Sequence, residues 1–382
     1  MKPHDMQPHA SPGGSRRRRP PVIATRRMVA LTGGLCAGAG GMVLIRHLSA
    51  GSAGSASTMQ PPSGNFGGSA NTMQYDYSGS YSVSLTVGED STAVIDGTDI
   101  TVSSSGSNGV FATDSGTALV NDTSIETMAD NSRGLDATYG GTILANKITA
   151  DTQGGHSAIV ATDRGGGSIS LADATLSTAG SGSPLLYSTG DIQVNNVSGT
   201  SSGSQIAGME GLNTILIKDS TSESTVTGKT ASDPIANGII IYQSTSGGVT
   251  ADTISSVDLY LLDGAAWIGA ATITDNAAAG SGTGTASDAP ITVNVDGTST
   301  WGVAKDTTIS ALNVASGSDG NTVTIVANGK TVVSGSGDVT VTVTGSYSTS
   351  VSAGSDTELS SDTIDRSEFD SRFGTSTAWT MA

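Results

Sequence analysis

Gly109-Val-Phe-Ala-Thr-Asp-Ser-Gly116 is followed by Gly134-Leu-Asp-Ala-Thr-Tyr-Gly-Gly141 and then by Ala158-Ile-Val-Ala-Thr-Asp-Arg-Gly165. A looser copy, Pro184-Leu-Leu-Tyr-Ser-Thr-Gly190, comes next. The Ala-Thr pairs fall at 112/113, 137/138 and 161/162, with Tyr187-Ser188 in the fourth place, so the steps are 25, 24 and 26 residues. Self-similarity at such a period is the signature of a repeat architecture.

A second motif travels in phase, a short apolar run ending in Asn or Asp. It reads Ala118-Leu-Val-Asn121, Thr142-Ile-Leu-Ala-Asn146, Ile169-Ser-Leu-Ala-Asp173, Ile192-Gln-Val-Asn195 and Ile215-Leu-Ile-Lys-Asp219. A third short run, such as Ile125-Glu-Thr127, Ile148-Thr149 or Leu176-Ser-Thr178, closes the unit, and Ala93-Val-Ile-Asp96 with Ile100-Thr-Val102 is an earlier copy. Three short strands per ~24 residues describe one rung of a parallel β-helix. One rung buries too few aliphatics to be stable alone, whereas stacked rungs bury a continuous column and complete each other's hydrogen bonds. Asn, Asp and Gly suit the corners, where left-handed backbone is needed. The apolar residues alternate rather than recur at three and four, which argues against helices. The expected fold is all-β, a right-handed parallel β-helix over 86–353.

Beyond Asp219 the spacing changes. Residues 219–235 read as a polar loop before Gly238-Ile-Ile-Ile-Tyr242 resumes the stack. Leu259-Tyr-Leu-Leu-Asp-Gly264 then leads to Trp267, and Ile291-Thr-Val-Asn-Val-Asp-Gly297 leads to Trp301, 34 residues later. Residues 276–290 read as a second loop, and 309–314, 323–326 and 339–343 as further strands.

Composition agrees with a stacked coil. Gly, Ser and Thr supply 159 of 382 residues, only 13% are charged and 4% aromatic. Such a chain is a poor helix former. Its pI near 4.3 disfavours nucleic acid. A single Cys excludes a disulfide scaffold. The charges are segregated: eight of 17 basic residues lie in the first 50 positions, and residues 51–382 carry nine bases against 33 acids, a net of −24.

That basic N-terminus precedes Met28 to Ile45, eighteen residues without a charge, and then the small-residue tract Ser49–Ser57. Together they form an export signal over 1–56, with Thr25-Arg26-Arg27 similar to a twin-arginine motif. Eighteen apolar residues also suffice for an uncleaved signal-anchor helix, so membrane contact is expected only through 28–45. Residues 57–85 read as a Gly/Ser-rich linker and 354–382 as an acidic flexible tail.

Residues 90–345 resemble the right-handed parallel β-helix surface proteins of bacteria, the adhesin-like and autotransporter-passenger-like group within the pectin-lyase-like superfamily. The Asp-Gly-x-x-Trp (Asp263 to Trp267) and Asp-Gly-x-x-x-Trp (Asp296 to Trp301) units are similar to terminal rungs seen there. The resemblance implies a secreted or cell-surface protein that displays loops and strand faces to glycans or extracellular proteins. The alternative it admits is a polysaccharide lyase or glycoside hydrolase.

For hydrolysis two carboxylates are needed about 5–10 Å apart. Asp114, Tyr139 and Asp163 are expected to share one rung position, with Lys147 and Arg164 nearby. Asp at a corner is more often turn chemistry, however, and His156 lies alone in a Gly-rich turn. No catalytic, cofactor or metal set emerges; Asp-rich turns offer at most weak Ca²⁺ binding, because no Asp-x-Asp-x-Asp-Gly run is present. The candidate ligand-binding residues are Trp267, Trp301, Tyr242 and Tyr260, either as an aromatic platform or as filling for wider terminal rungs.

Overall fold

The computed structural model describes residues 42–49, 82–163, 165–210, 213–225, 239–242, 255–269, 271–273, 291–303, 306–315, 323–351 and 364–377. Strands that are near neighbours in the repeat but far apart in sequence pair side by side, giving a parallel β-solenoid of about five turns. Among the described residues, fifteen strands form a long sheet, eight a second sheet, and two a small third.

The apolar run found in sequence is the start of each long-sheet strand. Ala93, Ala118, Ile143, Ile169, Ile192 and Ile215 stack in register, at steps of 25, 25, 26, 23 and 23 residues. In the second sheet Val110, Leu135, Val160 and Leu186 stack in the same way. From Ala118 and Val110 onward both columns point inward and belong to one continuous aliphatic core. Each interior strand is hydrogen-bonded on both sides, so no rung carries its own core or closes its own ladder.

The strands of Thr117–Thr127, Gly141–Thr152, Gly167–Thr178 and Asp191–Ser201 each bend at a left-handed corner. The corner residues are Asp122, Lys147, Asp173 and Asn196, flanked by Gly97 below and Asp219 above, all with φ between 48° and 59°. Asp and Asn tolerate this conformation at little cost. Their side chains also join rungs, as Asn121 Nδ2 donates to Asp96 Oδ1 and Asn196 Nδ2 to Asp173 Oδ1. At the next corner Ala129, Gly154 and Gly180 stack so tightly that a Cβ on Gly180 would sit 1.7 Å from the Gly154 oxygen.

Beside that corner runs a row that composition alone hides. Ser107, Ser132, Ser157, Ser183 and Ser204 are buried. Ser107 N–H donates to Ser132 Oγ, Ser132 N–H to Ser157 Oγ, and Ser157 N–H to Ser183 Oγ, at 3.3, 3.0 and 2.9 Å. Thr127 and Thr152 back this row, donating to Ser132 O and Ser157 O. The buried N–H groups of Ser107, Ser132 and Ser157 are thus satisfied by the neighbouring rung.

Three expectations change. Residues 219–235 were expected as a loop, but Thr221–Ser224 is a strand paired with 198–201; residues 226–235 and 276–290 lie outside the described residues. A signal helix over 28–45 is not supported. Residues 28–41 lie outside the described residues, while Met42–Ser49 is a strand running antiparallel between Thr214–Lys218 and Ser255–Leu262. Val43, Leu44 and Ile45 suit an extended backbone as well as a helix.

The third change is the tail. Residues 364–377 lie against the outer side of the long sheet instead of leaving it. Ser367–Phe373 forms one short helix, α1, with Gly374 as its left-handed cap. Ser367 N–H and Oγ–H donate to the Asp365 carboxylate and hold it below the usual carboxylate range. Phe369 and Phe373, four apart and therefore on one face, pack with Leu119, Leu144 and Val94. Near the C-terminal end, Thr324–Ala327 and Lys330–Val333 form an antiparallel hairpin whose turn is Asn328-Gly329, with φ of 51° and 71°.

Candidate functional sites

The tryptophans of the 34-residue repeat come together as the sequence spacing implies. Ala266–Gly269 and Thr300–Val303 pair in parallel, with Trp267 opposite Trp301. Their rings stack with centroids 5.6 Å apart and planes inclined by 3°. They are 4% and 6% exposed and belong to the continuous core, so they fill the terminal rungs and form no surface platform. Tyr260 is half-buried in Ser255–Leu262. Tyr242 ends the strand Ile239–Tyr242, and its side chain lies outside the described residues.

The turn before each tryptophan is built to be stacked. Asp263 has φ 55° and Gly264 84°. The N–H groups of Asp263, Gly264 and Ala265 donate to Asp296 Oδ2, Thr298 Oγ1 and Ser299 Oγ of the next turn, at 2.8, 2.9 and 3.0 Å. Burial alone would raise the Asp296 carboxyl. The Asp263 and Thr298 N–H groups, with the Ser299 and Thr298 hydroxyls, outweigh it and hold Asp296 below the ordinary carboxylate range. The Asp-Gly motif is therefore structural adhesive between rungs.

The acid row expected at Asp114, Tyr139 and Asp163 is offset by one residue. Ala112 pairs with Ala137, but Ala137 pairs with Thr162. Asp163 therefore stands level with Thr138, and its N–H donates to Ala137 O as that of Thr138 does to Ala112 O. The extra residue in the preceding turn restores the 25-residue step. Asp114 is exposed, Tyr139 half-buried and Lys147 exposed at its corner, while Arg164 lies outside the described residues. His156 occupies a left-handed turn, its N–H donating to Ser181 O.

What the register does assemble is a polar cluster that sequence reading missed. Asp136 is fully buried. Asn108 Nδ2 donates to Asp136 Oδ2 at 2.8 Å, and Asn108 Oδ1 accepts from Arg133 N–H at 3.0 Å. Arg133 Nη2 is ion-paired with Asp163 Oδ2 across one rung. Two carboxylates and a guanidinium on successive rungs have the components of acid–base chemistry. Their arrangement, however, is a set of mutual partners with little exposure. Arg133 is held by Asp163 and Asp136 by Asn108, so in this conformation the cluster fastens three rungs.

The most regular polar surface lies elsewhere, on the second half of each long-sheet strand. Asp99, Ser124, Thr149, Thr175, Ser198 and Thr221 form one column. Thr101, Glu126, Asp151, Ser177, Thr200 and Glu223 form a parallel column two residues on. All twelve are half-buried or exposed, while their intervening neighbours Ile100, Ile125, Ala150 and Leu176 are core residues. The result is a flat two-column face of hydroxyls and carboxylates over six rungs.

Among the described residues, no group of three or more His, Cys, Asp or Glu is placed to hold a metal ion, and no helix is long and apolar enough to cross a membrane. No protein-family model, no curated protein and no solved structure matches the chain.

Proposed function

We propose that the protein is an exported, non-catalytic β-solenoid of the bacterial surface or secretions, adhesin-like in action. The observation that carries the reading is the flat two-column face from Asp99 and Thr101 to Thr221 and Glu223. Its rows are held about 4.8 Å apart by the strand ladder. A face ordered before binding loses little entropy on meeting a partner, and hydroxyls with carboxylates suit the hydroxyl-rich surface of a glycan or the polar surface of an extracellular protein. In this reading residues 1–56 direct export, and residues 28–45 contact the membrane only where the signal is left uncleaved and Met42–Ser49 gives up its place in the sheet. No cofactor takes part, and the acidic mature chain avoids nucleic acid.

The test is binding of the purified protein to a glycan panel and to extracellular matrix proteins, compared with a Thr149→Arg/Thr175→Arg variant. Binding lost in the variant supports the reading, and binding unchanged by it removes the face from the argument.

A second reading, a polysaccharide lyase or glycoside hydrolase, rests on the Arg133, Asp136 and Asp163 cluster. Release of reducing or unsaturated ends from acidic or neutral polysaccharides, abolished by Asp136→Asn, would replace the display reading with that one.

A further inference from the structure

Met42–Ser49 is one strand too many for the stack. Chain order gives each turn one strand in each main sheet: Ala207–Glu210 is followed by Thr214–Lys218, and Ile239–Tyr242 by Ser255–Leu262. In the second sheet these two turns are direct neighbours, because Ala207–Glu210 pairs with Ile239–Tyr242. In the long sheet they are not. Thr214–Lys218 and Ser255–Leu262 lie on either side of Met42–Ser49, which runs antiparallel to both. Among the described residues the only other antiparallel pairing is the hairpin near the C-terminal end. The same two turns are therefore one strand spacing apart in one sheet and two in the other, about 4.8 Å against about 9.6 Å.

The strands held apart match each other. Val43 stands level with Ile217 on one side and Leu261 on the other, and Ile45 with Ile215 and Leu259. Ile215 is thus level with Leu259 and Ile217 with Leu261, and all four are core residues. Both flanking strands oppose the inserted one, so they run parallel to each other. One turn earlier the same alignment is a direct pairing, Ile192 with Ile215 and Val194 with Ile217. Withdrawing Met42–Ser49 leaves two parallel backbone edges already in register, with their inward residues aligned. Each edge then needs partners for its N–H and C=O groups, and the other edge supplies them. Closing by one spacing gives the long sheet the separation that the second sheet has at these turns.

We propose that Met42–Ser49 is a removable wedge and that the solenoid has two states. In the wedged state the strand is in place. In the closed state Thr214–Lys218 pairs directly and in parallel with 258–262, and the stack runs on without interruption. The event that withdraws the strand is hydrolysis of one peptide bond within Ser49–Ser57 by a signal peptidase, so the precursor is wedged and the mature chain closed. That last clause rests on the export reading, and the amino-terminal sequence of the secreted protein tests it apart from the two states themselves.

The states are read by a disulfide in the full chain carrying Cys36→Ser. Thr214→Cys and Asp258→Cys place the pair, since both positions are level with Arg46. A disulfide needs Cα atoms about 4.4–6.8 Å apart and is out of reach beyond about 7 Å. The wedged separation of about 9.6 Å forbids the bond and the closed one of about 4.8 Å admits it. Adding Val43→Asp/Ile45→Asp sets two unpaired carboxylates against the core columns and expels the strand. Mild oxidation is expected to bridge the cysteines at least about tenfold more in that chain than in the chain with the native strand. The proposal is overturned if the pair stays unbridged in the Val43→Asp/Ile45→Asp chain while its β-sheet circular dichroism is unchanged. It is equally overturned if both chains bridge to the same extent, which would mean that the strand does not hold its neighbours apart. If Val43→Asp/Ile45→Asp loses the β signal, Leu44→Pro takes its place with the same expected and opposing outcomes, because it removes a backbone donor from the strand and spares the core columns.

Discussion

Replacing Trp301 by Ala separates a core stack from a binding platform. Trp301 is 6% exposed and lies parallel to Trp267 at 5.6 Å. An indole removes roughly 150–250 Å² from water, which at about 25 cal/mol per Å² is 4–6 kcal/mol as an upper bound. Large-to-small replacements of buried aromatics cost about 3–5 kcal/mol, and the two ranges overlap near 4. Within a solenoid this loss falls on the rungs that carry the stack. The assay is hydrogen exchange followed by mass spectrometry. Peptides from 259–268 and 291–303 are read against 117–178 as an internal reference. A loss of about 4 kcal/mol predicts exchange faster by about a thousandfold in the first two regions and little change in the third. Trp301→Phe, which keeps a ring, should cost markedly less. If Trp301→Ala left exchange at 291–303 within about threefold of wild type and instead abolished glycan binding, the core assignment would be wrong.

Three further outcomes follow from other parts of the molecule. Gly180→Ala sets a Cβ 1.7 Å from a backbone oxygen, whereas Gly264→Ala meets nothing within 4 Å and only strains a φ of +84°. The first should cost about 3 kcal/mol or more and the second about 1 by thermal denaturation, an order that reversal would refute. Asp296 sits below its ordinary value, so its contribution is fully present above about pH 4 and is lost as pH falls through its lower folded-state value. The melting-temperature gap between wild type and Asp296→Asn should therefore narrow on acidification, and a pH-independent gap would contradict the assignment. Burial lowers the Arg366 guanidinium to about 10, against the opposing fields of Asp370 and Asp173. That value keeps it charged at neutral pH, so protection of α1 amides should be flat between about pH 5 and pH 9. Arg366→Met removes the hydrogen bonds to Ser170 and Ala145 and should weaken docking by about 1–3 kcal/mol, with Arg366→Ala weaker still through lost packing; docking of Arg366→Met equal to wild type would show that the guanidinium bonds contribute nothing.

Much of the solenoid was legible because it is periodic. The apolar runs at 118–120, 143–145 and 169–171 and the Asn/Asp that follow them marked strands and corners correctly to within one residue. Asp173 and Asp219 are themselves the left-handed residues, while at Asn121, Asn146 and Asn195 the left-handed position is the next one. Lys147 occupies that position with no local side-chain preference for it, so nothing in its identity could signal the corner. The one-residue slip at Asp163 has a similar origin. Repeated Ala-Thr pairs attract an alignment by identity, but register follows the inward column, and Val160 rather than Ile159 faces Leu135. The serine row was invisible among 57 serines, because only register distinguishes a buried hydroxyl from one on a turn. The docking of residues 364–377 was masked by their acids, which suggested a solvated tail. A signal existed nonetheless: Ala118-Leu119-Val120 and Ile143-Leu144-Ala145 are apolar at three consecutive positions, where one-sided burial would alternate. The outer position turns polar at Ser170 and Gln193, opposite Arg366 and the Ile364 backbone. The hairpin through Asn328-Gly329 and the strand Lys330–Val333 went unread, although the dipeptide signals such a turn. Trp267 and Trp301 were correctly paired by spacing, but spacing alone does not decide between core and platform.

The buried serine row has a direction. From Ser107 to Ser183 each backbone N–H is received by the hydroxyl of the rung that follows it in the chain. The hydroxyls donate the other way, Ser132 to Ser104 O, Ser157 to Ala129 O and Ser183 to Gly154 O. Ser132 and Ser157 also have a carbonyl of their own rung, Asp130 O and Gly155 O, so a rung cut away from the amino-terminal end leaves those two donors an acceptor. A rung cut away from the carboxy-terminal end leaves a buried N–H without its acceptor, at about 1–3 kcal/mol. At this corner the solenoid is therefore unequal toward its two ends. A chain emerging amino terminus first cannot complete a given corner until the next turn has emerged. That asymmetry delays the closure of each corner by one turn, and once closed the stack is best guarded from its carboxy-terminal side.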